Sequence, residues 1–268
     1  MKIYSSFQST RNFILDTLFP KHCTTCQKEG SFLCEACLAK IELLPYQVCP
    51  KCEKLLTEKG ALCDHCKKAQ PALSNLVVAT KYKDNNLSKL VHLYKYNFVE
   101  DLHVPLGRLL VKTILKNNMP LPDLIVPVPL HPRRLRWRGF NQAELLANYV
   151  SENLTPGFTI PVVTDLIRRQ KYTPPQMQIG KYADRRKNIL AAFQINSYSA
   201  SFSPFLRRDV PLGQRGKAPQ EFLQDKKILL IDDIATTGAT LFECAKIIKQ
   251  NGAKKVMGTV IARQEFES

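Results

Sequence analysis

The stretch from Ile228 to Thr240, ILLIDDIATTGAT, runs four aliphatic residues into two neighbouring carboxylates and then a turn of small and hydroxylated residues. The aliphatic run predicts a strand buried on both faces, where Asp232 and Asp233 cannot both be buried without partners. If the turn opens into a helix, it aims backbone N–H groups, the Thr236, Thr237 and Thr240 hydroxyls and a positive helix end at one spot. Gly238 allows a close backbone approach or φ > 0. That chemistry is an anion cradle: the carboxylates can accept hydrogen bonds from a ribose diol while the loop grips a 5-phosphate.

A second group of chemistry-bearing residues precedes it. Eight of the nine cysteines fall in four Cys-x-x-Cys pairs, CTTC, CEAC, CPKC and CDHC, between Cys23 and Cys66. A two-residue gap lets one knuckle present two sulfurs to a tetrahedral ion, and two knuckles close a structural zinc site. Eight thiolates therefore imply two zincs. Sequential pairing gives Cys23, Cys26, Cys34 and Cys37 on one ion and Cys49, Cys52, Cys63 and Cys66 on the other. Spacers of seven and ten residues are short for a zinc ribbon and leave an interleaved pairing open.

A third group is basic. HPRRLRWRGFNQ reads as a loop placing Arg133, Arg134, Arg136 and Arg138 around Trp137, with Asn141 and Gln142 leading into a helix. Guanidinium groups bind phosphate bidentately and an indole stacks on a base, so the stretch suits pyrophosphate or a single nucleic-acid strand. From Arg168 to Asn188 seven basic side chains, Arg168, Arg169, Arg185 and Arg186 among them, face one acid, Asp184. They form a candidate hood that excludes water or follows a DNA backbone, with Thr173, Pro174, Pro175 and Gln176 as its rigid tip. The formal charge of +16 over 268 residues makes a polyanionic partner an expectation for the whole chain.

These groups need a frame. LVVATKY, DLIVPVPL, AAFQI, KKILLID and KKVMGTVIA read as strands, and NNLSKLVHLYKYN, PLGRLLVKTILKN, NQAELLANYVSENL and TLFECAKIIKQNG as helices. Their alternation predicts an α/β fold with a mainly parallel sheet flanked by helices. Residues 1–70 form an N-terminal helix and double zinc ribbon, and 71–268 the α/β domain. A mobile basic insertion, rich in Ser, Pro and Gly, is expected at about 197–222. No signal peptide or membrane span is visible, and a cytoplasmic protein is expected.

The stretch ILLIDDIATTGAT resembles the phosphoribosyl pyrophosphate signature of the type I phosphoribosyltransferases. That resemblance implies that Asp232 and Asp233 contact ribose hydroxyls while Thr236, Thr237, Gly238, Ala239 and Thr240 enclose the 5-phosphate. VPVPLHPRRLRWRGFNQAELLA from Val126, RRQKYTPPQ from Arg168 and RRKNILAAF from Arg185, with the cysteine-rich region, are similar to motifs of the competence-associated ComF family. The resemblance covers nearly the whole chain outside the basic insertion. It implies a double zinc ribbon joined to a phosphoribosyltransferase-like domain, and a role in handling DNA during natural transformation. With the basic loops and the ribbon, the expected partners are single-stranded DNA, a phosphoribosyl pyrophosphate-type ligand carrying Mg, and a helicase or DNA-uptake protein docked on the ribbon. The alternative is an active, pyrophosphate-releasing phosphoribosyltransferase acting on an unidentified base or nucleophile. No residue identifies itself as catalytic.

Overall fold

The structure, a computed structural model, describes residues 21–82, 85–96, 99–172, 189–196 and 218–264. The cysteine-rich region holds α1 (Glu35–Ala39), β1 (Gln47–Val48), β2 (Leu56–Thr57) and α2 (Asp64–Lys67). The chain then runs through β3 (Leu73–Lys81), α3 (Asn85–Tyr96), α4 (His103–Lys116), β4 (Leu124–Pro127), α5 (Pro132–Arg138) and α6 (Gln142–Asn153). It continues through β5 (Ile167–Arg169), β6 (Phe193–Ile195), α7 (Pro219–Leu223), β7 (Lys227–Ala235), α8 (Ala239–Gln250) and β8 (Lys255–Arg263). Among the described residues no helix is long and apolar enough to cross a membrane.

The expected parallel sheet is present, with four strands in the order β3-β8-β7-β4, all parallel. It is apolar on both faces because helices cover both. On β7, Ile228 and Leu230 join one core with α7, α8 and the β5–β6 pair, while Leu229 and Ile231 join the other with α3, α4 and α6. The AAFQI strand, β6, pairs antiparallel with β5 and lies outside the main sheet.

The strands of this sheet differ in length, and the difference opens the site. β4 pairs with β7 only from Leu124↔Ile228 to Pro127↔Ile231, and the Val128 amide makes the last bond, to the Ile231 carbonyl at 2.9 Å. The chain then leaves through Pro129, which has no N–H to continue the ladder. Beyond Ile231, β7 is paired on the β8 side alone, through Asp232↔Val260, Ile234↔Ala262 and Ala235↔Arg263. A notch therefore opens beside the two acids.

Two expectations change. The arginine stretch is a helix, α5, and not a loop: Pro132 begins it, the His131 ring accepts a bond from the Arg133 amide at 3.1 Å, and Gly139 ends it at φ 81. Pro inside a helix start and Gly past its end are the signals that outweigh its polarity. The basic insertion ends before 222, because Pro219–Leu223 is α7 and Phe222, 1% exposed, packs into the core. Residues 197–217 lie outside the described residues, as do Thr173, Pro174, Pro175, Gln176, Arg185 and Arg186 of the hood.

The cysteine-rich region covers the open edge of β3. The Gln47 amide mimics a strand residue: its Nε2 donates to the Val78 carbonyl at 3.1 Å and its Oε1 accepts from the Val78 amide at 2.9 Å. Leu44 N–H reaches the Ala79 carbonyl at 2.8 Å, and the Asn75 side chain reaches the Lys59 carbonyl at 3.2 Å. Gly60 is required here, since a Cβ would lie 2.0 Å from the Leu76 carbonyl oxygen. An unpaired strand edge invites non-native pairing, and this contact removes it. Gln47 is 4% exposed. Replacing it with Leu, which leaves both Val78 groups unpaired, is expected to lower the unfolding free energy by about 2–4 kcal/mol in urea at saturating zinc; an unchanged midpoint would show that the edge cap is dispensable.

Candidate functional site

Successive side chains on a strand point to opposite faces, so the two neighbouring acids of β7 start toward different layers, and both reach the notch left by β4. Asp233 turns toward α3, where its Oδ1 pairs with Lys95 Nζ at 2.9 Å, both side chains mostly buried. Its Oδ1 also accepts from the Ile234 amide at 2.6 Å. Asp232 follows Ile228 and Leu230 toward the other face, and its Oδ1 accepts from the Asp233 amide at 2.9 Å. Asp232 keeps some surface open to the cleft, but burial, with repulsion from Asp233, pushes its carboxyl up to about 8 against the opposing pull of Lys95, the backbone bond and Arg169.

Both acids line one cleft of about 110 Å³, together with Thr236 and Thr240. Small-molecule sites commonly exceed about 300 Å³, so the enclosed part takes one charged portion of a ligand and leaves the rest over its open mouth. Arg134, Arg138, Asn141 and Gln142 reach it from the α5–α6 corner, Arg169 from β5, and Lys95 and Tyr96 from α3. Four cations thus meet two acids in the cleft, one of the acids held toward its neutral form, and the balance favours an anion.

The stretch expected to grip phosphate is the bend between β7 and α8. Gly238 is left-handed at φ 68, ψ 0, and the Thr237 hydroxyl accepts from the Ala239 amide at 3.3 Å. Thr237, Gly238 and Ala239 stand beside the cleft at the positive end of α8, while Thr236 and Thr240 border it.

The basic residues fall into two sets. Arg138 is 8% exposed, donates from Nη1 to Gln142 Oε1 at 2.7 Å, and lies over the Tyr96 ring at 5.8 Å. Its buried Nε has no hydrogen-bond partner among the described residues. Burial pulls this guanidinium below its ordinary range, with Asp233 resisting. Arg169 is also 8% exposed, lies over Phe193 and is pulled down by burial first and then by Arg134. On β5 the alternation that buries Arg169 exposes Arg168.

The second set is exposed: Arg133, Arg136 and Trp137 point outward from α5, with Trp137 57% exposed and 6.2 Å from the Tyr96 ring. The guanidiniums of Arg133 and Arg134 lie 5.5 and 5.9 Å from the Tyr172 ring, beside His131. Asn141 and Gln142, expected to contact ligand, are held by structural bonds. Asn141 caps α6 and donates to the Val128 carbonyl at 3.2 Å; the Gln142 side-chain amide donates to the Tyr94 carbonyl at 3.2 Å. Lys95, Tyr96 and Tyr172 are the residues that sequence reasoning missed. Lys95 ends an amphipathic helix, where a lysine ordinarily serves the helix dipole and carries no site signal.

The eight cysteines gather sequentially: Cys23, Cys26, Cys34 and Cys37 in one group and Cys49, Cys52, Cys63 and Cys66 in the other, with the sulfurs of each within 4.8 Å of one another. Sulfurs 2.3 Å from a tetrahedral zinc stand about 3.8 Å apart. Cys26–Cys34 at 3.6 Å and Cys52–Cys63 at 3.9 Å fit that spacing. Burial pushes the Cys23 and Cys49 thiols up, but backbone N–H groups outweigh it and hold each at about 6; burial and the neighbouring sulfurs push Cys37 and Cys66 up to about 12. Four clustered thiolates need a dication, and four sulfurs leave it no open position. Zinc at these two four-cysteine sites is therefore structural.

Residues 14–67 match the family model of the double zinc ribbon domain. The chain is 28% identical to competence protein F of Haemophilus influenzae over 235 residues, 86% of this chain and 90% of that protein. It is 29% identical to the DNA utilization protein YhgH of Escherichia coli K12 over 220 residues, 81% of this chain and 84% of that one. A purine phosphoribosyltransferase structure from Pyrococcus horikoshii overlaps 61% of this chain and 89% of its own at 17% identity, with a TM-score of 0.31.

The raised Asp232 carboxyl carries a sign. Its folded pKa lies above the ordinary value near 4, so its contribution to stability is complete below about pH 4 and is lost as pH rises toward about 8. Asp232→Asn, which cannot ionise, is expected to match the wild type near pH 4 and to exceed it by on the order of 1–3 kcal/mol near pH 8. Urea unfolding at the two pH values checks this; an asparagine variant less stable at pH 8 contradicts the burial argument.

Proposed function

We propose that this chain, a homologue of proteins named for competence and DNA utilization, is a DNA-handling protein of natural transformation with two anion sites. The cleft takes a phosphoribosyl pyrophosphate-type ligand, and the outer face of α5 takes single-stranded DNA. One observation supports both: α5 divides its arginines by burial, with Arg138 8% exposed inside the cleft and Arg133, Arg136 and Trp137 outside it.

In the cleft, the Thr236–Thr240 bend and the α8 end receive the 5-phosphate, and Asp232 and Asp233 accept from ribose hydroxyls. Arg134, Arg138 and Arg169 meet the pyrophosphate, whose charge offsets the burial of the Arg138 guanidinium. Magnesium arrives with the pyrophosphate as part of the ligand and shields its charge. On the outer face, exposed guanidiniums follow the backbone while Trp137 and Tyr172 offer rings to bases. The ribbon is the surface for a helicase or uptake protein, and the protein works in the cytoplasm.

Buried arginines beside a sugar site also suit departure of pyrophosphate, which keeps a phosphoribosyltransferase activity as the second reading. A pyrophosphate-release screen across nucleobases tests it.

The two sites are expected to separate on mutation. Arg133→Ala with Arg136→Ala should weaken single-stranded DNA binding and reduce the slope of log affinity against log salt by about 1.4. The same variant should bind phosphoribosyl pyrophosphate as the wild type does; unchanged DNA affinity and slope would remove the DNA site. Conversely, Asp232→Asn with Asp233→Asn should abolish calorimetric binding of Mg-phosphoribosyl pyrophosphate while zinc stays at two ions per chain. Undiminished heat in that titration would place the ligand elsewhere.

A further inference from the structure

β8 ends on Arg263, a buried cation, 8% exposed, that joins two parts of the molecule far apart in sequence. Its Nε donates to the Thr236 carbonyl at 3.3 Å, at the start of the bend between β7 and α8. Its Nη2 pairs with Glu53 Oε1 at 2.6 Å and donates to the Pro50 carbonyl at 3.4 Å. Pro50 lies between Cys49 and Cys52, and Glu53 directly follows Cys52, so both acceptors belong to a knuckle of the second four-cysteine group.

That knuckle is closely defined. Glu53 sits at φ 61 and its amide donates to the Cys49 carbonyl at 2.9 Å. Gly238 of the bend packs close to the same nitrogen, where a Cβ would come within 3.3 Å of Arg263 Nη2. The fork of Arg263 therefore fills the space between metal knuckle and bend, bonding to both. A point charge such as lysine cannot serve three acceptors in different directions with fixed geometry.

We propose that Arg263 is a positioning residue which ties the phosphate-binding bend to the second zinc knuckle. Zinc on Cys49, Cys52, Cys63 and Cys66 fixes Pro50 and Glu53; these fix the guanidinium; the guanidinium fixes the Thr236 carbonyl. The peptide planes from Thr236 to Ala239, which carry the amides that meet an anion, inherit that position. Without metal the knuckle loses its defined geometry, and the cleft loses the preorganisation of its phosphate end. This rests on the reading of the cleft given above.

The test uses the full-length, zinc-loaded protein and two readouts. Hydrogen exchange of the peptide spanning Thr236–Ala239 reports the bend without any ligand, and calorimetry with Mg-phosphoribosyl pyrophosphate reports the cleft. Arg263→Gln and Glu53→Gln should each keep two zincs per chain and normal exchange in β7 and α6. Both should accelerate exchange at the bend and weaken the ligand by about 5- to 50-fold. Arg263→Lys should restore part of both effects. Cys52→Ser should loosen the bend as Arg263→Gln does, while Cys26→Ser, in the other group, should leave it unchanged. If Arg263→Gln loses zinc or unfolds, Glu53→Gln decides. Exchange at the bend equal to wild type in Glu53→Gln overturns the coupling whether or not ligand binds. A wild type that binds no phosphoribosyl pyrophosphate overturns the cleft's ligand instead, and leaves the exchange measurement to judge Arg263.

Discussion

Two adjacent carboxylates in an otherwise apolar strand must each find a cation or give up charge, and the site is built around that constraint. Because the strand sends them to opposite faces, they meet different fates. Asp233 has its ion pair with Lys95, whereas Asp232 has no ion pair within 4.0 Å among the described residues and is pushed toward its neutral form. With Arg138 and Arg169 buried nearby, the cleft is left with cationic character to spare. A bound anion would suit this arrangement, since the buried Nε of Arg138 has no hydrogen-bond partner among the described residues.

The sheet edges explain why the cleft lies where it does. On one side, β4 leaves β7 after Pro127 and exposes the acids to the α5–α6 corner. On the other, the edge of β3 is closed by Gln47, Leu44 and the Lys59 carbonyl. The cysteine-rich region is thus part of the sheet's architecture. Its first group shares a core with the main domain, where Cys23, Cys37 and Leu38 pack with helices α3, α4 and α6. Zinc gives this small region the rigidity that its few apolar residues cannot supply.

Features that depend on local pattern were legible in the sequence. Cys-x-x-Cys spacing marked both metal groups, the aliphatic run marked β7, and Gly238 marked the bend. Features that depend on the third dimension were not. Lys95 and Arg263 lie 138 and 27 residues from Asp233 and Thr236, at the ends of ordinary elements, and only the fold brings them to the site. Other misses were avoidable. Pro132 with Gly139 brackets a helix within a polar run. Phe222 behind a proline similarly marks the end of the basic insertion.

That helix changes what the arginines can do. As a loop, Arg133, Arg134, Arg136 and Arg138 would form one continuous basic surface. On a helix, positions four apart share a face, so Arg134 and Arg138 line the cleft together while Arg133, Arg136 and Trp137 face away. A helix with its side chains is about 10 Å across, wider than the reach of a single phosphate contact. The separation is not complete, since Arg133 of the outer set and Arg134 of the cleft both lie over the Tyr172 ring. Tyr96 likewise meets a residue of each set, with Arg138 over its ring and Trp137 6.2 Å away, so the split by burial does not make the two sets structurally independent.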